Sequence, residues 1–219
     1  MKKVFIIFLL LVLCGCSSSQ DIKDKLDVVF KADQDEVTFR KNNYSEYIDY
    51  YLPSDIFEVD ADLLSSTYSY NDAKLVVNIN VSGIIASKYY PDVFLVDEGF
   101  FDNSKLVYRK DGFFLNDSEE QREYKYRVYN VDDTYLTYLI CDNLIMYGYC
   151  NEKDLIGLSS RMLLMAKAAD VKENDIASMY STKDTIDFEK KPVNLFETIL
   201  PVNGNINDFL VDKEDSSAD

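Results

Sequence analysis

The absence of histidine limits the chemistry that this chain of 219 residues could perform. Serine and cysteine nucleophiles are usually activated by a neighbouring imidazole, so Ser-His-Asp and Cys-His machinery is excluded within the chain. A histidine-ligated zinc site is excluded for the same reason. The two cysteines outside the N-terminal segment, Cys141 and Cys150, are too few for a four-cysteine site. An enzyme with this sequence would have to use carboxylates, lysine, tyrosine or cysteine.

Cys141 and Cys150 could form a disulfide, remain free thiols or supply a nucleophile. Two strands are predicted around a turn at residues 142–143, and this register places Cys141 opposite Leu144 and Cys150 opposite Tyr135. The thiols would then lie about six strand residues apart, or ~20 Å, whereas a disulfide requires Cα atoms within about 7 Å. We therefore expect free thiols, because a disulfide would require a broad apolar loop in place of the turn.

Two acidic clusters have the residue type of calcium ligands without the required spacing. One is the run at residues 33–36, and the other is the alternating set Glu58, Asp60 and Asp62. Neither has the glycine and the terminal bidentate glutamate of a calcium-binding loop. With 39 acidic residues in the chain, no single carboxylate pair stands out for glycoside hydrolysis. We expect solvated charge here, and we predict no metal and no cofactor.

Tyrosine is abundant, with seventeen residues in the chain. Tyrosine on a rigid sheet offers a large contact area at a small entropic cost, which suits the binding of peptides or sugars. The residues predicted as an interaction surface lie on two neighbouring strands, and they are Tyr124, Tyr126, Tyr135 and Tyr138. The alternative is that β-propensity and core packing account for these tyrosines.

The N-terminal segment has the organisation of a secretory signal. Lys2 and Lys3 precede an apolar run over residues 4–13 that contains no glycine, proline or charge. The run is too short to cross a bilayer, which requires about 20 such residues. This order of charge, apolar run and small residues predicts that the chain is exported.

The end of that run, Leu13-Cys14-Gly15-Cys16, resembles the lipobox of bacterial lipoproteins, in which a small residue precedes an obligatory cysteine. The resemblance covers the signal segment alone. It implies cleavage after Gly15 and lipidation of Cys16, which would anchor the protein to the outer face of the cell membrane. Stable anchoring requires more than one acyl chain, and a diacylglycerol group supplies two.

The formal net charge of −16 restricts the partners of the chain. Nucleic acid carries the same sign of charge, so we predict no nucleic-acid binding. An acidic surface speeds the encounter with basic partners. A basic protein or peptide is therefore the expected partner, beside the membrane reached through Cys16.

Apolar periodicity predicts a helix followed by a β section. Residues 44–52 carry apolar side chains at the spacing of a one-sided helix, which Pro53 would end. Alternation with period two predicts strands over residues 64–70 and 75–81, and residues 84–90 are expected to continue the sheet. A hairpin is predicted around Asp111 and Gly112, which suit a type I′ turn. Further strands are predicted over residues 124–128, 134–141 and 144–150.

Helical spacing returns after the last strand. An apolar stripe predicts a well-buried helix over residues 151–169, with Asn151 as its N-cap. Shorter helices are predicted over residues 172–180 and 193–200. Consecutive strands with short turns are typical of an antiparallel meander, so the fold class is predicted as α+β, with flanking helices in a single domain.

The predicted organisation has four parts, namely a signal peptide at residues 1–15, a lipidated cysteine and polar tether at residues 16–22, a globular domain at residues 23–211 and a disordered acidic tail at residues 212–219. The leading functional hypothesis is a non-enzymatic module that binds a protein or peptide at the cell envelope. A small-ligand or glycan binder and a histidine-free hydrolase that uses carboxylates are the alternatives.

Overall fold

The computed structural model describes residues 18–35, 39–89, 103–116 and 119–181. The predicted signal, Cys16, the helix predicted over residues 193–200 and the predicted acidic tail lie outside the described residues. In chain order the described elements are α1 (Ser18–Asp35), β1 (Asn43–Tyr44), β2 (Ile48–Tyr50), β3 (Phe57–Ala61), β4 (Ser65–Tyr70), β5 (Ala73–Ile79), α2 (Val81–Tyr89), a 3₁₀ turn (Asn103–Lys105), β6 (Leu106–Leu115), β7 (Gln121–Val131), β8 (Thr134–Cys141), β9 (Leu144–Cys150), α3 (Glu152–Ala168), β10 (Asp170–Val171) and α4 (Glu173–Ser181).

The main sheet of the described chain has seven antiparallel strands in the order β3-β4-β5-β9-β8-β7-β6. Strands β3 to β5 form one meander and β6 to β9 form a second, and the two join where β5 pairs with β9. A smaller sheet has the order β1-β2-β10. The predicted α+β class with an antiparallel meander and flanking helices is therefore confirmed.

Helices α1 and α3 cover one face of the main sheet. Helix α1 begins at Ser18, inside the segment predicted as a tether, and buries Ile22, Leu26 and Phe30 at intervals of four residues. The predicted stripe of α3 is fully buried, including Leu158 and Met162. Spacing of three and four residues places such side chains on one side of a helix, which explains why both helices pack against the sheet.

Two details of the predicted ends and turns differ in the structure. Asn151 precedes α3 in an extended conformation, but its side chain forms no capping hydrogen bond. Asp111 and Gly112 do not form a turn, because both lie inside β6, opposite Lys125 and Tyr124. The turn lies further along the chain, where the Asn116 N–H donates to the Glu120 carbonyl at 3.0 Å.

The helix predicted over residues 44–52 is wrong. The segment contains the last residue of β1 and all of β2, and β2 pairs with β10, where Asp170 lies opposite Asp49. This pairing is long-range in sequence, so local periodicity could not indicate it. The strand expected at residues 84–90 is also wrong, because α2 occupies that region. The Asn80 side chain accepts a hydrogen bond from the Gly83 N–H at 3.0 Å and so caps the first turn of α2.

The described helices share one further property. None of those within residues 18–35, 39–89, 103–116 and 119–181 is both long and apolar enough to cross a membrane.

Candidate functional site

Three of the four predicted contact tyrosines belong to the core. Tyr124, Tyr126 and Tyr135 are buried on the sheet face that α1 and α3 cover. The Tyr126 hydroxyl lies 2.5 Å from the Ser159 hydroxyl of α3, and burial raises the pKa of Tyr126. The prediction that these three residues form an exposed patch is therefore wrong. Their role is to pack in the core.

Tyr138 lies on the opposite face of the sheet. Its neighbour Thr137 points toward α3, since the Thr137 hydroxyl donates to the Met162 sulfur at 3.2 Å, and successive strand residues point to opposite faces. Tyr138 is partly buried and packs against Tyr147, with ring centroids 5.3 Å apart. This tyrosine is thus separated by the sheet from the other three.

Cys141 and Cys150 are both buried free thiols, as predicted. The observed register pairs Cys141 with Leu144 and Cys150 with Tyr135, which is the register inferred from the turn. Burial raises the pKa of each thiol to about 12. The thiolate is the nucleophilic form of cysteine, so neither residue is suited to attack a substrate near neutral pH.

The acidic clusters are separated in the fold. Asp33 is buried on α1, whereas Glu58 and Asp60 lie on the exposed strand β3. Within the described ranges, no three Cys, Asp or Glu side chains converge as a set that could hold a metal ion. On β3, Glu58 lines a cleft and Asp60 lies beside it.

A cleft of about 340 Å³ lies where the small sheet meets one end of the main sheet. We call it the edge cleft. It is lined by Asn43, Tyr44, Ser45, Ile48, Tyr50, Glu58, Ala61, Asp62, Leu63, Leu64, Ser65, Ser66, Tyr68, Val77 and Ile79. The pairing of β2 with β10 holds the β1–β2 hairpin beside the end of the sheet formed by β3, β4 and β5. The edge cleft is the space between this hairpin and those strands.

Two buried tyrosines contribute a pair of hydroxyls to the cleft lining. Tyr50 comes from β2 and Tyr68 from β4, and their hydroxyls form a short hydrogen bond. Burial is the main cause that raises the pKa of both phenols. They remain neutral at physiological pH, and each hydroxyl can both donate and accept a hydrogen bond.

Exposed apolar side chains concentrate around the edge cleft. Tyr44 and Leu63 line it and are 68% and 56% exposed, while Phe57 and Val59 on β3 are 64% and 65% exposed. These four are among only seven large apolar residues with high exposure in the described part of the chain. A cluster of exposed apolar side chains rimmed by polar ones is typical of an interaction surface.

The charge around the edge cleft is negative. Glu58 and Asp62 line the cleft, and Asp60 follows on β3. Among the described residues, neither Glu58 nor Asp60 forms an ion pair. The Asp62 carboxylate accepts a hydrogen bond from the Leu63 N–H at 2.7 Å, which shapes the turn after β3. A cationic group entering the cleft would meet carboxylates and hydroxyls together.

The edge cleft was missed in the sequence because its residues are dispersed. The sequence feature that could have indicated this site is the segment Phe57-Glu58-Val59-Asp60, in which apolar and acidic residues alternate. That alternation predicts a strand with one apolar and one acidic face, but the spacing of its acids by itself indicates no more than an incomplete set of calcium ligands. No protein-family model and no curated protein sequence matches the chain.

Proposed function

We propose that this chain is an exported, lipid-anchored protein whose folded domain binds a protein or peptide at the outer face of the cell membrane. The export signal and the Gly15-Cys16 step support the anchored location. Lipid on Cys16 would keep the domain at a surface, where it meets other envelope proteins. The folded domain then supplies the recognition.

The observation that carries the proposal is a set of four exposed apolar side chains, which we call the apolar rim: Tyr44 and Leu63 in the edge cleft and Phe57 and Val59 on the adjacent strand β3. Leaving four large apolar side chains in water at one end of the sheet is unfavourable unless a partner covers them. Aromatic residues such as Tyr44 and Phe57 are enriched at protein interfaces, where truncation of a hot-spot residue costs at least about 2 kcal/mol. The rim thus fits a macromolecular partner.

A small-ligand or glycan binder is the second candidate, since the volume of the edge cleft falls in the range of small-molecule sites, about 300–1,000 Å³. Phe57 and Val59 distinguish the two functions. They are not among the residues that line the cleft, so a small molecule held inside it would leave both exposed. A protein partner would cover the cleft and the strand together.

Site-specific crosslinking in cells tests the proposal. The photoreactive amino acid p-benzoylphenylalanine replaces Leu63 in one variant and Val28 in a control, because Val28 lies on α1 and is 68% exposed. We expect a distinct protein adduct from position 63 that is absent from position 28. The adduct is identified by mass spectrometry, and the purified partner is tested for binding to Leu63→Ala and Val28→Ala.

Three results would contradict the proposal. The first is the same adduct pattern at positions 63 and 28, and the second is equal binding of the purified partner to the two alanine variants. The third is turnover of a glycan or peptide that is lost in Glu58→Gln or Asp62→Asn, which would favour the carboxylate hydrolase. A third crosslinker at Tyr138 asks whether the opposite face of the sheet contacts the same partner.

A further inference from the structure

We infer that the partner contributes an extended, lysine- or arginine-containing segment that adds to β3 as a further strand of the main sheet and places one of its basic side chains in the edge cleft. The inference rests on the proposed function and specifies the partner's chemistry and the mode of binding. Its components are a sheet edge, an adjacent cleft and an uncompensated negative charge.

The edge is strand β3. Among the described strands, β3 pairs with β4 alone and stands at the end of the seven-stranded sheet. The outer side of such a strand presents backbone N–H and C=O groups that another chain can pair with. An added strand obtains affinity from main-chain hydrogen bonds and specificity from pockets for alternate side chains.

Natural proteins often protect an exposed edge strand from pairing with other chains, and β3 is only partly protected in this way. It has a bulge between Glu58 and Asp60, which is one protective device. However, Phe57 and Val59 are exposed on the same five residues, and exposed apolar side chains promote pairing with other chains. The combination favours a short, selective pairing.

The opposite edge of the sheet, strand β6, is a useful contrast. There the Gln34 side chain of α1 donates a hydrogen bond to the Phe113 carbonyl at 3.1 Å, so part of the backbone is already in use. Its charged residues are also paired within the chain, Arg109 with Asp111 and Lys110 with Asp27. Strand β3 is therefore the edge whose acidic residues, Glu58 and Asp60, form no ion pair with another described residue.

The position of the edge cleft relates it to an added strand. Glu58 and Ala61 of β3 line the cleft, and so do Ser66 and Tyr68 of β4, opposite Ala61 and Glu58 respectively. Side chains of a neighbouring strand share these two faces alternately. A strand added beyond β3 would thus direct every second side chain to the side of the sheet on which the cleft lies.

A lysine or arginine fits that cleft chemically. Its aliphatic stem would contact Ile48 and Leu64, while its charged head would lie near the Glu58 carboxylate. Long cationic side chains bury their stems against apolar surface and keep the charge near polar groups. Hydrogen bonds between a cation and a carboxylate are among the stronger ones.

Charge also excludes a second copy of this chain as the occupant. Pairing two β3 strands would bring Glu58 and Asp60 of one copy close to the same residues of the other. Like charges on adjacent strands are destabilising, and the net charge of −16 adds long-range repulsion. A basic segment converts the same residues into attractive contacts.

The test uses the full chain purified in detergent and a short synthetic peptide in which valine and lysine alternate. A second peptide with glutamate in place of lysine is the charge control. We expect the lysine peptide to bind, its association to slow as salt rises, and the glutamate peptide not to bind. Hydrogen exchange should slow at residues 57–61 when the lysine peptide is added, without a change at β6.

Matched variants locate the contact. Phe57→Lys and Phe113→Lys make the same change on opposite edges, at side chains that are 64% and 56% exposed. We expect Phe57→Lys to weaken binding of the lysine peptide by about tenfold or more and Phe113→Lys to change it by about twofold or less. Glu58→Gln should weaken binding, whereas Asp133→Asn in the turn between β7 and β8 should not.

The inference fails if the lysine peptide does not bind, or if it binds without protecting residues 57–61. It also fails if the two lysine variants weaken binding equally, which would indicate attraction to the overall charge alone. Should crosslinking at Leu63 still identify a partner in these cases, the proposed function would stand and only strand addition would be rejected. An adduct that is missing at Leu63 would instead reject the proposed function.

Discussion

Truncation of Leu158 should destabilise the domain strongly. This side chain is fully buried in α3 and faces β9, where a methyl group placed on Gly148 would come within 2.7 Å of Leu158 Cδ2. Leu158→Ala removes three carbons, each worth about 0.8 kcal/mol of burial. Because the glycine beneath it has no side chain to fill the space, a cavity term adds to the loss, and we expect about 3–5 kcal/mol in total.

Urea unfolding of the full chain, followed by circular dichroism, measures this change, because the chain has no tryptophan to report by fluorescence. The slope of the transition should stay constant while its midpoint falls. Leu63→Ala is the matched control, since the same atoms are removed from an exposed position, and it should cost less than about 0.5 kcal/mol. A loss below about 0.5 kcal/mol for Leu158→Ala would refute the packing of α3 over the sheet.

Four further outcomes are expected. Gly148→Ala should destabilise the fold by about 1–3 kcal/mol in the same unfolding assay, because the added Cβ would lie 2.2 Å from the Thr137 hydroxyl. Cys141 and Cys150 should both react with a thiol reagent in unfolded, unreduced protein, and a peptide linking them would contradict the register. Their raised pKa values predict that stability falls between about pH 9 and 12, where the unfolded chain loses the thiol protons first, and a flat pH profile in that window would count against their burial. Cys16→Ala should leave an unprocessed precursor or release the protein from cells, and a membrane-bound product of mature size would disprove lipid anchoring at Cys16.

Burial of the tyrosines shows where sequence patterns stop being informative. Tyr126 and Tyr138 both belong to strands with alternating side chains, and both were predicted as contact residues because tyrosine on a rigid sheet suits binding. Alternation shows which residues of a strand share a face, but both faces of this sheet carry tyrosine. The tyrosines that became buried are those on the face against which α1 and α3 pack. The sequence around either tyrosine does not indicate where these helices pack.

The edge cleft could not be predicted for a related reason. Its lining combines β1 to β5, and β2 is held in place by β10, which lies about 120 residues later in the chain. The segment of β2 also carried a spacing typical of a helix. Long-range backbone pairing overrode that local preference, as it commonly does for short strands.

The sequence alone was sufficient for strands β4, β5 and β7 to β9, the buried helix α3 and the separation of Cys141 from Cys150, because each depends on periodicity and turn residues within a short stretch. The absence of histidine likewise needed no structure. Only the tertiary structure decided that Tyr124 and Tyr126 are core residues, that β3 is a sheet edge and that a cleft lies beside it. Those properties depend on which surfaces meet, and surfaces meet through contacts between residues that are distant in the chain.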